Sequence, residues 1–331
     1  MTRIKTRMQP QALNQATEGI DRINVTGGAT GAPAEGSRIK TAISSVYDSI
    51  AGSWNLGDTW NWGLYDPEIA RELNDLIAGY DQFSTDGFAE QMYYYTLRQI
   101  PIPIHYHKGK RILEIGSGLG GGLNFLSRVL PGTELTGLDI SRVAVQRASS
   151  RYSRPGTIHF TYGDAESLPF EDHTFDAVLN IESSHNYPNL ETFLAEVARV
   201  LIPGGYFSIT DFFTDVQQAR LDQAKAKCTH LEWIAQTDVS EQVGAAVRQR
   251  MAPGSYVRTT LARQRMSLIR RIIARHAAEA SMGGLFTGDA SKGPFARWVR
   301  KVAGVGILDQ ATIRAYVNHV AVRRPNTDDH A

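Results

Sequence analysis

The residues of this chain that can do chemistry are acids set at regular intervals, one glycine-rich turn and one histidine. Glu114 stands two residues ahead of Gly116 in RILEIGSGLGGG, and Gly116, Gly118 and Gly121 fit the G-x-G-x-x-G spacing of a strand-to-helix turn that cradles a nucleotide. Asp139 ends TELTGLDI, Asp164 lies in GDAESLPF, and Asn180 and Glu182 end FDAVLNIES. His185 follows at once in ESSHNY; an imidazole titrates near neutrality and can take a proton from a hydroxyl. Two aromatic-rich stretches precede the turn. Trp54, Trp60, Trp62 and Tyr65 crowd SWNLGDTWNWGLYDP, and Phe83, Phe88, Tyr93, Tyr94 and Tyr95 sit on or near a helical stretch at 84–100.

The elements that position these groups alternate after Lys110. RILEIG reads as a first strand and GGGLNFLSRVL as its helix; TELTGLDI, TIHFTYGDA and FDAVLNIES read as further strands. NLETFLAEVARVLI is a periodic helix stopped by PGG, YFSITDFF is a fifth strand, and AYVNHVAVRR near the end suits a last one. Parallel strands with crossover helices bind ligands at their carboxyl ends, so each acid above falls at the ligand crevice. Upstream, Met1 to about Arg38 reads as a flexible arm with GGATGAPAEG as a linker, and a helix starts at Ile39. Downstream, Thr214 to about Thr312 reads as helical, with LDQAKAKCTHLEWIA and LARQRMSLIRRIIARHAAEA the clearest segments.

NAD, FAD and S-adenosyl-L-methionine (SAM) sites all satisfy the glycine spacing, and the acids separate them. A dinucleotide sets a pyrophosphate over the turn, where Glu114 repels it. SAM carries a sulfonium and an ammonium, which a carboxylate attracts. Asp139 is placed for the ribose hydroxyls in either case, Asp164 for the adenine amino group, and Asn180 and Glu182 for the methionine end. Gly116 and Gly118 let the backbone approach closely. Asp164 has a plainer reading as a turn residue, and His185 as a structural histidine.

At 331 residues, 42% apolar and 21% charged, the chain has the composition of a globular protein with a core and a cap. A net charge of +1 offers no global attraction to nucleic acid or an anionic membrane. Cys228 is the only cysteine, which excludes an internal disulfide and suits a cytoplasmic protein. No apolar run reaches the ~18 residues of a membrane span. His105 and His107 lack companions at ligand spacing, so no metal is expected.

Taken as a set, LEIGSGLGGG, GLDIS, GDAESLPF, FDAVLNIESSH and VARVLIPGGYF resemble the motifs of class I SAM-dependent methyltransferases. NIESSHNYP with FLAEVARVLIPGGYFSITDF, and the tail AGVGILDQATIRAYVNHVAVRR, look like the phthiotriol dimycocerosate methyltransferase group; SSVYDSI and the aromatics behind it resemble sterol and terpenoid C-methyltransferases. The resemblance implies a Rossmann-like α/β fold: a mostly parallel, seven-stranded sheet with a helical N-terminal lid and a helical insertion before the last strand. It divides the chain into an arm (1–38), an aromatic lid (39–105), a SAM-binding core (106–213), a cap (214–313) and a final strand with tail (314–331). It assigns cofactor contacts to Tyr47, Glu114, Gly116, Ser117, Gly118, Asp139, Ile140, Asp164 and Ala165, with Tyr47 closing over SAM. Asn180 joins them by position.

The reaction expected is methyl transfer to a largely apolar metabolite such as a terpenoid, prenylated alkaloid or polyketide, with His185 and Glu182 as candidate catalytic groups. Trp54, Trp60, Trp62, Tyr65, Tyr94 and Phe212 are the candidate pocket residues; the bland reading of most is cap core. An alkene carbon is slightly favoured as acceptor, because aromatic faces stabilise a cation. A hydroxyl with His185 as base follows closely, and a cyclase that retains SAM is the alternative from another class. A nucleic-acid methyltransferase is disfavoured, since NIESSH lacks the Asn/Asp-Pro-Pro-aromatic pattern. The arm ahead of the lid suits a swapped homo-oligomer.

Overall fold

The computed structural model describes residues 33–53, 57–80, 85–263 and 313–325, with isolated positions between 267 and 298. Trp54 and Phe83 lie outside the described residues, as do most of LARQRMSLIRRIIARHAAEA and the arm proposed for subunit exchange. Strands β1 (Arg111–Ile115), β2 (Glu134–Asp139), β3 (Ile158–Tyr162), β4 (Phe175–Ile181), β5 (Leu201–Thr214), β6 (Leu231–Asp238) and β7 (Ile313–Arg323) form one sheet in the order β3-β2-β1-β4-β5-β7-β6. The first five in that order run parallel, whereas β7 is antiparallel to both β5 and β6.

Strand periodicity of two sorts the apolar residues onto two faces. Ile112, Leu135, Phe160, Leu179, Phe212 and Tyr316 join one core, against helices α3 (Phe88–Arg98), α4 (Gly121–Val129) and α8 (Ser240–Met251). Leu113, Ile115, Val178, Phe207, Ile209 and Val317 join the other, against α6 (Leu190–Val200) and α7 (Asp215–Lys227). Helix starts are set locally. Ser141 caps α5 (Arg142–Tyr152) by accepting from Ala144 N, and Asp66 caps α2 (Pro67–Leu76). Thr214 and Gln217 form a reciprocal capping box on α7.

Four readings of the sequence are corrected. Helix α1 (Pro33–Ser53) begins at Pro33, not Ile39, because proline suits a first helical turn. The helix in LDQAKAKCTHLEWIA ends at Lys227, and LEWIAQTD forms β6 within the segment read as all helical. Residues 202–205 do not separate α6 from β5: the helix ends at Val200, and Pro203-Gly204-Gly205 falls inside β5 as a break in its register with β4. The aromatic helix α3 starts at Phe88, four residues after the expected boundary. Among the described residues, no helix is long and apolar enough to cross a membrane.

Candidate active site

The strand order reverses at β1, between β2 and β4, and the carboxyl ends there open the crevice expected of such a sheet. One side of it is built from residues near the glycine turn. Glu114, on β1, is fully buried, and its Oε1 accepts from the Tyr93 hydroxyl on α3 at 2.7 Å. Gly122 makes that contact possible, since a Cβ there would lie 1.9 Å from Cζ of Tyr93. Burial lifts the Glu114 carboxyl to about 8, against the Tyr93 hydrogen bond, with the charge of Asp139 adding to the rise. Asp139 accepts from the backbone N–H of Gly118 at 2.8 Å and of Ser141 at 2.7 Å; burial nevertheless pushes it to about 6. Gly116 has φ of 81°, and a Cβ on it would sit 2.0 Å from Ser183 Oγ, so both conformation and space require glycine.

Three polar atoms on this side are buried with no hydrogen-bond partner: Glu114 Oε2, Ser117 Oγ and Asn180 Oδ1. The Asn180 side-chain amide donates to Ile115 O at 2.9 Å and to the Tyr187 hydroxyl at 3.1 Å. Buried polar groups without partners are uncommon in a folded chain, and at the carboxyl ends of parallel strands they are groups a bound ligand would complete. Two carboxylates and open acceptors suit a ligand with positive charge and N–H donors, and they do not suit a pyrophosphate. The residues present fit SAM.

Helix α1 lies across this mouth and grips it with one face. Lys40 reaches Asp164 at 2.7 Å and Glu166 at 2.6 Å, Ser44 donates to Ile140 O at 2.9 Å, and Asp48 accepts from Ser141 Oγ at 2.6 Å and Val143 N at 3.1 Å. Residues 40, 44, 47 and 48 share a helical face, which is why Tyr47 points the same way. Its hydroxyl accepts from Asn186 Nδ2 at 3.0 Å, and its ring lies 5.7 Å from Trp60. Burial, then the charges of Asp139, Asp211 and Glu182, raise the Tyr47 hydroxyl and keep it protonated. Asp164 spends its second oxygen on Glu166 N at 2.9 Å, the turn role open to it from sequence. Ala165 is buried in the core beside Leu138 and Leu168.

The other side is made by the ends of β4, β5 and β7 and by the strap that carries Trp60 and Trp62. Glu182 adopts a left-handed conformation, φ 48°, uncommon for a side-chain-bearing residue and concentrated at functional sites. Its Oε1 accepts from Trp62 N at 2.5 Å, and Tyr316 also bonds its carboxyl. Burial lifts Glu182 to about 8, opposed by those two bonds and assisted by Asp211. His185 Nδ1 lies 2.8 Å from Oδ1 of the fully buried Asp211, whose Oδ2 accepts from the His185 N–H at 3.1 Å and from the Ser184 hydroxyl at 2.6 Å. Phe212 stacks on His185 with centroids 4.1 Å apart and on Trp62 at 5.0 Å; Tyr316 lies 6.0 Å from each of Phe212 and Trp62.

Trp60, Trp62 and Phe212 therefore stand at the crevice, whereas two other expected pocket residues do not. Tyr94 points away and donates to Glu72 on α2 at 3.0 Å, and it is Tyr93 that turns inward. Tyr65 packs edge-on against Phe88, with its backbone N–H bound to Gln242 O on α8. Asp211, Tyr316, Tyr93 and Asn186 also come together here, and of these the sequence reading names only Tyr93, among the aromatics of its helix. Asp211 has a signal, the one charged residue in its strand.

Residues 113–209 match a family described as a methyltransferase domain. Residues 113–209 are thus a methyltransferase domain, the sheet has the Rossmann-like class I methyltransferase fold, and SAM is the cofactor. Among curated proteins, the phthiotriol/phenolphthiotriol dimycocerosates methyltransferase of Mycobacterium tuberculosis is 42% identical over 135 residues, covering 41% of this chain and 49% of that one. The fatty-acid O-methyltransferase of Mycolicibacterium smegmatis is 46% identical over 124 residues, 38% of this chain and 43% of that one. The aligned part thus spans about half the length of these relatives. Two solved structures share the fold: the [4+2]-cyclase SpnF, with TM-score 0.56 and 18% identity over 87% of this chain and 97% of that one, and the geranyl diphosphate C-methyltransferase of Streptomyces coelicolor A3(2), with 0.54 and 12% over 89% and 99%.

Proposed function

We propose that this protein transfers the methyl group of SAM to a hydroxyl of a largely apolar, lipid- or polyketide-like molecule. The observation that carries this reading is the dyad of His185 and the buried Asp211 beside an aromatic wall. Bound SAM supplies a methyl group activated by its sulfonium. Glu114, Asp139, Ser117 and Asn180 hold and orient the donor, and α1 with Tyr47 excludes water from above. Asp211 accepts only, so it fixes the proton on Nδ1 of His185 and leaves Nε2 as the base for the acceptor hydroxyl. As that proton arrives, Asp211 stabilises the imidazolium. Trp62, Phe212 and Tyr316 provide the apolar surface against which the acceptor lies. The name of the fatty-acid O-methyltransferase relative supports oxygen as the acceptor atom.

A second reading, transfer to an alkene carbon, is favoured by the same aromatic wall, which would face a carbocation, with Glu182 or His185 removing the neighbouring proton. The geranyl diphosphate C-methyltransferase shares the fold alone and does not decide between them. Methyl-labelled SAM offered with a panel of apolar alcohols and matched alkenes separates the two by mass spectrometry and NMR. The account expects O-methyl ethers from the alcohols, with loss of product in His185→Ala. Label appearing only on carbon, or no label on any acceptor despite tight S-adenosylhomocysteine binding, would overturn it. Cyclisation without label transfer would favour a cyclase that retains SAM.

A further inference from the structure

The reactive nitrogen of His185 is already engaged. Asn186, buried to 7% exposure, brings its Nδ2 to 2.8 Å from His185 Nε2 and to 3.0 Å from the Tyr47 hydroxyl of the lid. An amide nitrogen has two hydrogens, and these two acceptors use both. Asp211 accepts at Nδ1, so the neutral ring carries its proton there and presents a lone pair at Nε2. The amide donates into that lone pair. Asn186 thus touches both the lid helix and the nitrogen that must receive the substrate's proton.

We propose that Asn186 is a positioning residue that stabilises the Nδ1-protonated tautomer of His185 and occupies Nε2 until the acceptor hydroxyl takes its place. The lid contact through Tyr47 keeps the amide in that position, so that the base is released by an acceptor able to donate a hydrogen bond. This rests on His185 being the base. It adds a selection step: an acceptor without a hydroxyl leaves Nε2 capped.

The capped nitrogen can be read without any acceptor. Diethyl pyrocarbonate acylates an unprotonated imidazole nitrogen with loss of ethanol and carbon dioxide, and peptide mapping follows each histidine separately. His105 and His230 are exposed and serve as internal references. In Asn186→Ala, His185 labelling relative to them rises about fivefold, the equivalent of one hydrogen bond of ordinary net strength. In Asn186→Asp the carboxylate accepts from Nε2–H and holds the ring as imidazolium, so labelling falls below that of the unaltered protein. Labelling of His185 at the unaltered rate in either variant would overturn the proposal. Should Asn186→Ala unfold, seen as loss of the circular dichroism spectrum of the unaltered protein, Asn186→Asp alone carries the test. The base assignment is judged separately: His185→Ala retaining full methyl transfer would remove it, whatever the labelling shows.

Discussion

The two sides of the crevice are built differently. On the cofactor side Glu114, Ser117, Gly118 and Asp139 come from β1, β2 and the turn between them, within about one βαβ unit, and the backbone itself supplies the key contacts. On the acceptor side Trp62, Glu182, His185, Phe212 and Tyr316 are drawn from segments over 250 residues apart and meet through side-chain packing. On the function proposed above, the first side would read the methyl donor and the second the acceptor. Substitutions should divide along that line, with the cofactor side governing donor binding and the acceptor side governing transfer.

The largest effect is expected at Gly116→Val. Its positive φ and the 2.0 Å approach to Ser183 leave no room for a side chain, and calorimetry should find S-adenosylhomocysteine binding abolished. Across the crevice, His185→Ala or Asp211→Asn should lower the rate of transfer by about 10²–10⁴ while donor affinity stays within about threefold. Equal losses in binding and rate would erase the division. An intermediate effect belongs to the neighbouring tyrosines. Tyr93→Phe removes the donor to Glu114 and should weaken SAM binding about tenfold, as for a hydrogen bond to a charged group, whereas Tyr94→Phe should change it less than about twofold.

The smallest predicted effect is one of pH. Glu114 at about 8 and Asp139 at about 6 are protonated in the ligand-free protein below those values, and the cationic donor favours their ionised forms. SAM affinity should therefore rise from pH 6 to 8 with release of protons, and Glu114→Gln should flatten the upper part of that rise. The sign for stability is opposite. A carboxyl raised above its unfolded value near 4 keeps more protons folded than unfolded, so the ligand-free chain should lose melting temperature between about pH 4.5 and 8. Saturating S-adenosylhomocysteine should reduce that loss.

The same asymmetry sets how much was legible in the sequence. Local patterns carry the cofactor side: the glycine turn, the acid before it and the acids that end successive strands are each visible within a few residues. The acceptor side depends on pairings that a sequence does not print. Tyr93, Tyr94 and Tyr95 succeed one another on α3, and each faces about 100° from the last, so only the docking of α3 on the sheet reveals which one reaches Glu114. Asp211 reads as the one charged residue of its strand until the end of β4 places His185 beside it. Strand β6 is hard to see in the sequence because strong helix formers in α7 precede it closely and, apart from buried Leu231 and half-buried Trp233, its residues are exposed. Helix α1 is legible as a helix from its apolar spacing, but its contacts through Lys40, Ser44 and Asp48 are not, since each partner lies about a hundred residues away.

The most direct test is to titrate the purified protein with S-adenosylhomocysteine and, separately, with NAD and FAD in a calorimeter. The account predicts saturable binding of the first, lost in Gly116→Val and retained in His185→Ala, with no heat from either dinucleotide. Uptake of a dinucleotide by a protein indifferent to S-adenosylhomocysteine would contradict the assignment of this crevice.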